Sequence, residues 1–159
     1  MNAMKKYIIE SSHTSLVEKL GRLHRQWRVI VDAELLPLGL THPRWTAMWK
    51  LWRMGDNTSQ KHLADALEIE LASLMRTLGQ LEEQGLIQRH TCKEDKRVRL
   101  VNLTPEGIAI IRQMEARIVQ VRTELLAGIT PEQLTLFDSV MERIAINIHD
   151  KLTSETQEP

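Results

Sequence analysis

Apolar residues along most of this chain recur three or four positions apart, the spacing of one helix face. They predict six helices, over about 13–36, 41–54, 60–67, 71–84, 105–127 and 131–152. Pro37 and Gly39 end the first helix. The last two begin at Thr-Pro-Glu sequences, which supply a cap residue, an early proline and an acid, and the second of them completes a capping box.

The periodicity changes after Gly85, which ends the fourth helix because a left-handed residue is needed there. Residues 86–89 and 99–103 are short apolar stretches that predict two strands. The charged segment 93–97 between them predicts a hairpin. Ser59 is a plausible cap for the third helix, and Leu74, Leu78 and Leu81 form the apolar stripe of the fourth. Two short helices followed by a basic hairpin are typical of a DNA-binding domain, with the second helix in the major groove.

Composition describes an ordinary globular protein. The 159 residues are 42% hydrophobic and 26% charged, and no apolar run approaches the length of a membrane span. A single cysteine, Cys92, excludes an intrachain disulfide and favours a reducing compartment, so we expect a cytoplasmic, nucleoid-associated protein.

The distribution of charge is more informative than the net charge of zero. Residues 86–103 carry five Lys and Arg against two acids, whereas residues 104–159 carry five against nine. Positive charge therefore gathers on the predicted hairpin. A neutral protein with such a local patch is expected to bind DNA less indiscriminately than a strongly basic one.

Long amphipathic helices lie on both sides of the predicted DNA-binding part. We expect residues 13–37 and 104–152 to form dimerisation helices around a winged-helix part at 41–103, within one domain spanning 13–152. A monomeric helical bundle is the alternative. Residues 1–12 are expected to be flexible, and residues 153–159 form a polar tail.

Several short sequences resemble one known family. They are Leu78–Arg89, Asp95–Arg97 and Leu103–Gly107, and their order and spacing resemble the MarR family of winged-helix transcriptional regulators. The sequences of Leu20–Arg28, Leu38–Trp45 and Ser73–Leu78 are most similar to the SlyA branch. The resemblance covers roughly residues 15–151.

This resemblance implies a mainly α fold with a small β-hairpin wing, a winged helix-turn-helix with long dimerisation helices at both ends. It also implies a homodimer that binds pseudo-palindromic promoter DNA as a repressor or activator. Small phenolic or aromatic carboxylates are the effectors that the family implies.

The chain departs from the SlyA pattern at three places. Leu71-Ala72 stands where that branch usually has Gln-Pro at the start of the recognition helix. Lys96 replaces the first arginine of the wing pair, so the charge remains while bidentate geometry is lost. The sequence Glu68-Ile69-Glu70 places acids near the DNA side.

The candidate DNA contacts lie on the recognition helix, the preceding helix start and the wing. They are Ser59, Gln60, Ser73, Arg76, Thr77, Lys96 and Arg97. The helix residues are expected opposite the apolar stripe, and the free N–H groups near Ser59 are expected to bind phosphate. Asp95 is expected to position Arg97 or Arg76. The alternative for each charged residue is an ordinary solvated surface position.

Four tryptophans against one tyrosine and one phenylalanine are unusual. Core packing is the simpler explanation. The alternative is an aromatic effector pocket, for which the resemblance favours Arg25, Thr41 and Trp45.

The sequence offers little for other chemistry. It has no phosphate-binding glycine loop, no nucleophile elbow and no His or Cys spacing typical of a metal site. We therefore expect no enzyme activity, no cofactor and no metal, and for Cys92 a structural role rather than a redox one. The rival hypothesis is a helical module that uses its winged helix to bind protein.

Overall fold

The computed structural model describes residues 15–155, with side chains described to residue 154. Its helices and strands follow in the order α1 Leu16–Leu35, a 3-10 turn Leu36–Leu38, α2 His42–Met54, β1 Thr58–Ser59, α3 Gln60–Leu67, α4 Leu71–Glu83, β2 Ile87–Thr91, β3 Arg99–Leu103, α5 Pro105–Leu125 and α6 Pro131–Glu155. The predicted class, mainly helical with a small wing, is confirmed. The predicted flexible segment 1–12 and residues 156–159 of the predicted tail lie outside the described residues.

Helix α1 begins at a cap that the sequence analysis did not identify. The Ser15 hydroxyl accepts a hydrogen bond from the Glu18 N–H at 3.2 Å, and the Glu18 carboxylate accepts one from the Ser15 N–H at 2.8 Å. This reciprocal pair is a capping box, which satisfies two N–H groups that a helix start otherwise leaves unpaired.

The described residues form two compact units that divide between Val121 and Arg122. The core of the first unit collects the predicted stripe of α4 with side chains from α2, α3, β2, β3 and α5. Its fully buried members include Met48, Leu51, Leu63, Leu74, Leu78, Leu81, Ile87, Val101, Ile111 and Met114. The stripe predicted from spacing alone is therefore the packed face of α4.

The sheet has three antiparallel strands in the order β1-β3-β2. Strand β2 extends to Thr91, two residues beyond the prediction, and pairs Ile87 with Leu103 and Thr91 with Arg99. The two-residue strand β1, in which Thr58 pairs with Val101, was not predicted. A strand that short carries no periodicity of its own.

A hydroxyl clamp joins the end of α4 to the start of α5. The Thr104 Oγ1 donates to the Gly85 carbonyl at 2.6 Å and accepts from the Gly107 N–H at 3.0 Å. Gly85 has a φ of +72°, as predicted for a helix stop. A Cβ at Gly107 would lie 2.0 Å from the Leu86 carbonyl oxygen, so only glycine fits this contact.

The second unit contains the end of α5 and the whole of α6. The predicted capping box is confirmed, because the Thr130 hydroxyl accepts from the Gln133 N–H at 3.2 Å and the Thr130 N–H donates to the Gln133 side chain at 2.8 Å. Helix α6 continues through Glu155, three residues into the predicted tail.

Many large apolar side chains of α6 are exposed. They are Leu136, Phe137, Val140, Met141, Ile146, Ile148 and Leu152, with exposed fractions from 39% to 67%. None of the helices between residues 15 and 155 has the length and apolarity that a membrane span requires.

Candidate nucleic-acid interface and aromatic pocket

The turn between α3 and α4 sets the direction of the recognition helix. Glu68 takes a left-handed conformation with a φ of +55°. Its N–H and that of Ile69 donate to the Asp65 and Ala64 carbonyls, both at 3.1 Å. These bonds satisfy carbonyls that the end of α3 would leave unpaired, and they let α4 begin at Leu71 after a short turn.

Helix α4 presents a packed face and an exposed face. Ser73 and Arg76 are exposed, as the predicted DNA contacts require. Thr77 is 8% exposed and its hydroxyl donates to the Ser73 carbonyl at 3.3 Å. Its predicted place opposite the apolar stripe is wrong, because position 77 lies beside Leu74 and Leu81 at about 100° per residue.

At the start of α3, main-chain N–H groups rather than side chains are available for the predicted phosphate contact. The Ser59 hydroxyl caps the helix by accepting from the His62 N–H at 3.1 Å, as predicted. Gln60 is 7% exposed, and its Oε1 is a buried acceptor without a hydrogen-bond partner among the described residues. The phosphate contact predicted here therefore depends on N–H groups, since the Gln60 side chain points into the protein.

The wing connects β2 and β3. At its tip, hydrogen bonds to Asp95 hold the Arg97 side chain in one orientation. The Arg97 Nε and Nη2 donate to the two Asp95 carboxylate oxygens at 3.0 and 3.1 Å, and the Arg97 N–H also donates to Oδ1 at 3.0 Å. The Arg97 hydrogen bonds hold the pKa of Asp95 below its usual range, and Asp95 in turn raises the pKa of Arg97. The Arg97 side chain is nevertheless 91% exposed, and Lys96 beside it is exposed as well.

A second arginine of the hairpin, Arg89, forms an ion pair within the protein. The Arg89 Nη2 and Nε donate to one Glu82 oxygen at 2.6 and 3.0 Å, and the Arg89 N–H donates to the other at 3.0 Å. The Arg89 side-chain hydrogen bond lowers the pKa of Glu82. This pair ties α4 to β2. From the sequence, Arg89 is recognisable only as hairpin charge, because no spacing rule links a helix residue to a strand residue seven positions later.

A half-open cavity of about 390 Å³ lies in the first unit and collects aromatic side chains from α1 and α2. Its lining residues are His24, Trp27, Arg28, Val31, His42, Trp45, Thr46, Trp49 and Ile118. Trp27, Trp45 and Trp49 thus share one pocket, in which Arg28 and two histidines supply polar groups.

The Asp32 carboxylate holds two of the side chains that line this pocket. Asp32 Oδ1 accepts from the Trp45 indole N–H at 2.7 Å and lies 2.9 Å from His42 Nδ1. The two rings meet edge to face with centroids 5.2 Å apart. Asp32 Oδ2 also lies 3.8 Å from the Arg28 Nε. The carboxylate therefore fixes the orientation of the indole that faces the cavity.

Two of the three predicted effector contacts lie elsewhere. Arg25 and Thr41 are exposed and do not line the aromatic pocket, whereas Trp45 does. Arg25 is about 100° around α1 from His24, which does line it. Thr41 occupies the position before α2 without a capping hydrogen bond from its side chain. Trp52 lines a separate cavity of about 160 Å³ beside Gly55.

Metal ligands and free thiols are the remaining candidate groups among the described residues. Within residues 15–155, no three His, Cys, Asp or Glu side chains come together as metal ligands would. Cys92 is half-buried at the base of the wing.

The chain is similar to known proteins over most of its length. A family model described as the MarR family matches residues 40–98. The crystal structure of the transcriptional regulator PA3341 is 34% identical, with a TM-score of 0.77 over 86% of this chain and 99% of that chain. A crystal structure of MarR is 26% identical, with a TM-score of 0.71 over 85% and 98% of the two chains. CouR from Rhodococcus jostii RHA1, bound to p-coumaroyl-CoA, is 20% identical with a TM-score of 0.71 over 82% and 91%, a likeness of fold.

Proposed function

Because the chain belongs to the MarR family of transcriptional regulators, we propose that it binds pseudo-palindromic promoter DNA as a homodimer and regulates transcription from that site. The observation that carries the proposal is the pairing of an exposed recognition-helix face with a preset wing. Arg76 and Ser73 are exposed on α4, and Arg97 is exposed on a hairpin that Asp95 orients. A helix in the major groove and an arginine at the neighbouring backbone or minor groove are complementary parts of one DNA contact.

The exposed apolar face of α6 supports the homodimer. Leu136 and Leu152 are 67% and 60% exposed, and five further large apolar residues lie along the same helix. An uncovered face of this size marks an interaction surface. A second copy of the chain, bringing an identical face, would cover it and would present two recognition helices to two half-sites.

The sequences at 20–28, 38–45 and 73–78 resemble those of the SlyA branch, and we propose that the chain belongs to that branch. We also propose a cytoplasmic location, where promoter DNA is accessible to the protein.

The aromatic pocket supports regulation by a small aromatic carboxylate. Trp27, Trp45 and Trp49 provide ring faces, Arg28 provides a cationic partner for a carboxylate, and the His24 ring provides a further polar group. CouR, with the same fold, binds an aromatic acyl-CoA. An effector that favours one arrangement of the recognition helices would change DNA affinity by its differential binding to the two arrangements.

Selection of bound fragments from random-sequence duplexes tests the DNA-binding proposal directly. We expect a pseudo-palindromic site, bound by two chains per duplex in light scattering, with affinity that falls steeply as salt rises. A scrambled duplex of equal length is the control. Affinity no better than that control would contradict the proposal and would favour the protein-binding module.

Salicylate titration tests the effector proposal. We expect tryptophan quenching and weaker operator binding to occur together, since the coupling between two sites is reciprocal. Arg28→Ala should weaken salicylate binding, whereas Arg25→Ala, which removes an equal charge outside the pocket, should not. Quenching without any loss of DNA affinity would show a pocket that does not regulate.

A further inference from the structure

The exposed side of the recognition helix is divided into an apolar and a polar edge. Leu71 and Met75 are 40% and 46% exposed, and Ala72 between them in sequence is also exposed. At about 100° per residue, Leu71 and Met75 lie about 40° apart, and Ala72 lies about 60° beyond Met75. We name these three residues the apolar edge of α4. Leu71 continues the buried stripe of α4 but is exposed because it begins the helix, and Met75 and Ala72 lie progressively further from the stripe.

The neighbouring edge of the same helix carries hydrogen-bonding groups. Ser73 and Arg76 are exposed there. Gln80, one turn further on, accepts a hydrogen bond from the Arg44 Nε at 3.2 Å and is therefore partly occupied within the protein. Ser73 and Arg76, in the first half of α4, are therefore the main side chains of this edge that could form hydrogen bonds with base edges. The N-terminal part of a recognition helix is the part that contacts base edges.

Resting on the proposed DNA binding, we infer that the apolar edge reads thymine methyl groups in the major groove of each half-site. The C5 methyl of thymine is the apolar group that a base pair presents there, and the other groups are hydrogen-bond donors and acceptors. Leucine and alanine side chains form no hydrogen bonds with those groups, and the methionine sulfur is only a weak acceptor. Contact of all three side chains with a thymine methyl removes apolar surface from water, which favours binding. Arg76 on the neighbouring edge supplies the polar contact.

The exposed cations of the wing favour duplex DNA as the occupant of this edge, in spite of the exposed acids Glu68 and Glu70 just before α4. The wing on the C-terminal side of α4 carries exposed Lys96 and Arg97. A phosphate backbone matches these cations, and it would bring base edges rather than a protein surface against α4. The apolar edge and the cationic wing then belong to one contact.

Uracil substitution isolates the methyl group. A duplex obtained by selection from random sequences is prepared with one thymine at a time replaced by deoxyuridine, which keeps every base-pairing group. We expect one or two positions per half-site at which binding weakens about three- to fourfold, the effect of one buried methyl. The affected positions should be related by the two-fold symmetry of the site, and deoxyuridine elsewhere should leave binding unchanged.

Substitutions on the helix then assign the contact. Met75→Ala and Leu71→Ala, checked for folding by circular dichroism, should each lose the discrimination between thymine and deoxyuridine at their own position. Trp52→Leu is the matched control, since Trp52 is 40% exposed but lies on α2. It should retain the full effect.

Three results would overturn the inference, and they are distinguishable. Equal binding of all deoxyuridine duplexes, with operator still preferred over scrambled DNA, would remove methyl readout and leave the proposed function standing. A uracil effect that persists in both α4 variants would assign the contact to another side chain. No preference for any selected duplex would remove the inference together with the proposed function.

Discussion

Helices α4 and α6 have similar apolar patterns but bury them differently. The stripe of α4, formed by Leu74, Leu78 and Leu81, is fully buried within the chain. The apolar residues of α6, from Leu136 to Leu152, remain largely exposed. Periodicity shows that a helix has an apolar face, but it does not show whether the same chain covers that face. The contrast separates residues that stabilise the fold from residues that are available for association.

The largest effect is expected from the buried stripe. Leu78→Ala should lower the free energy of unfolding by about 2–5 kcal/mol, because it removes buried methyl groups and leaves a cavity. Urea denaturation at fixed protein concentration measures this value. Leu136→Ala, at a site that is 67% exposed within one chain, is the control, and at protein concentrations low enough for both variants to be monomeric in light scattering it should change the free energy of unfolding little. Equal losses would remove the contrast between the two helices.

A charge on α6 tests the other half of the comparison. Ile148→Asp should dissociate the proposed dimer and leave the first unit folded, because an unpaired carboxylate would be buried at the interface. Light scattering measures the mass, and circular dichroism reports the fold. His149→Asp adds a carboxylate one residue further along the helix and should retain the dimer. A wild-type chain that is monomeric at working concentrations would contradict the assignment of this face.

A smaller effect is expected from the exposed wing, and it should be confined to DNA affinity. Arg97→Ala should weaken operator binding about 5- to 150-fold without loss of stability, because the side chain contacts solvent rather than the core. Fluorescence anisotropy measures the affinity. Arg112→Ala removes an exposed positive charge from α5 and serves as the control. Unchanged affinity in a folded Arg97 variant would exclude Arg97 from the interface.

The smallest effect concerns the ion pair that ties α4 to β2. Arg89 lowers the pKa of Glu82 in the folded protein, so the pair contributes stability above the unfolded carboxyl pKa of about 4.3. That contribution is lost as pH falls through the lower folded value. Glu82→Gln should therefore cost up to about 1 kcal/mol near pH 7, since the Glu82 side chain is 38% exposed. The deficit should shrink as the solution is acidified, whereas exposed Glu83→Gln should show neither behaviour.

Local signals in the sequence predicted much of the fold. The stripe of α4, the helix stop at Gly85, the Ser59 cap and the Thr130 capping box each depend on residues within about two turns of each other. These predictions are confirmed. Strand β1 was missed because it exists only through its pairing with β3.

The candidate sites were harder to predict because they depend on helix phase and on contacts between distant residues. Thr77 was placed on the wrong face by one step around α4. Arg25 was chosen from the family resemblance, which carries no information on which α1 side chain faces the aromatic pocket, and Arg28 lines that pocket instead. The contact of Trp45 with Asp32 joins two helices across thirteen positions. Nothing in the local sequence of either residue indicates that contact.

The clamp at Thr104 has a mechanical consequence. It fixes the end of α4 to the start of α5, and the absence of a side chain at Gly107 lets the two segments touch. Helix α5 has 21 residues and is about 31 Å long, so a displacement of about 3 Å at its far end corresponds to a tilt of about 5° at its start. We expect α4 to follow such a tilt, because the clamp holds the end of α4 to the start of α5.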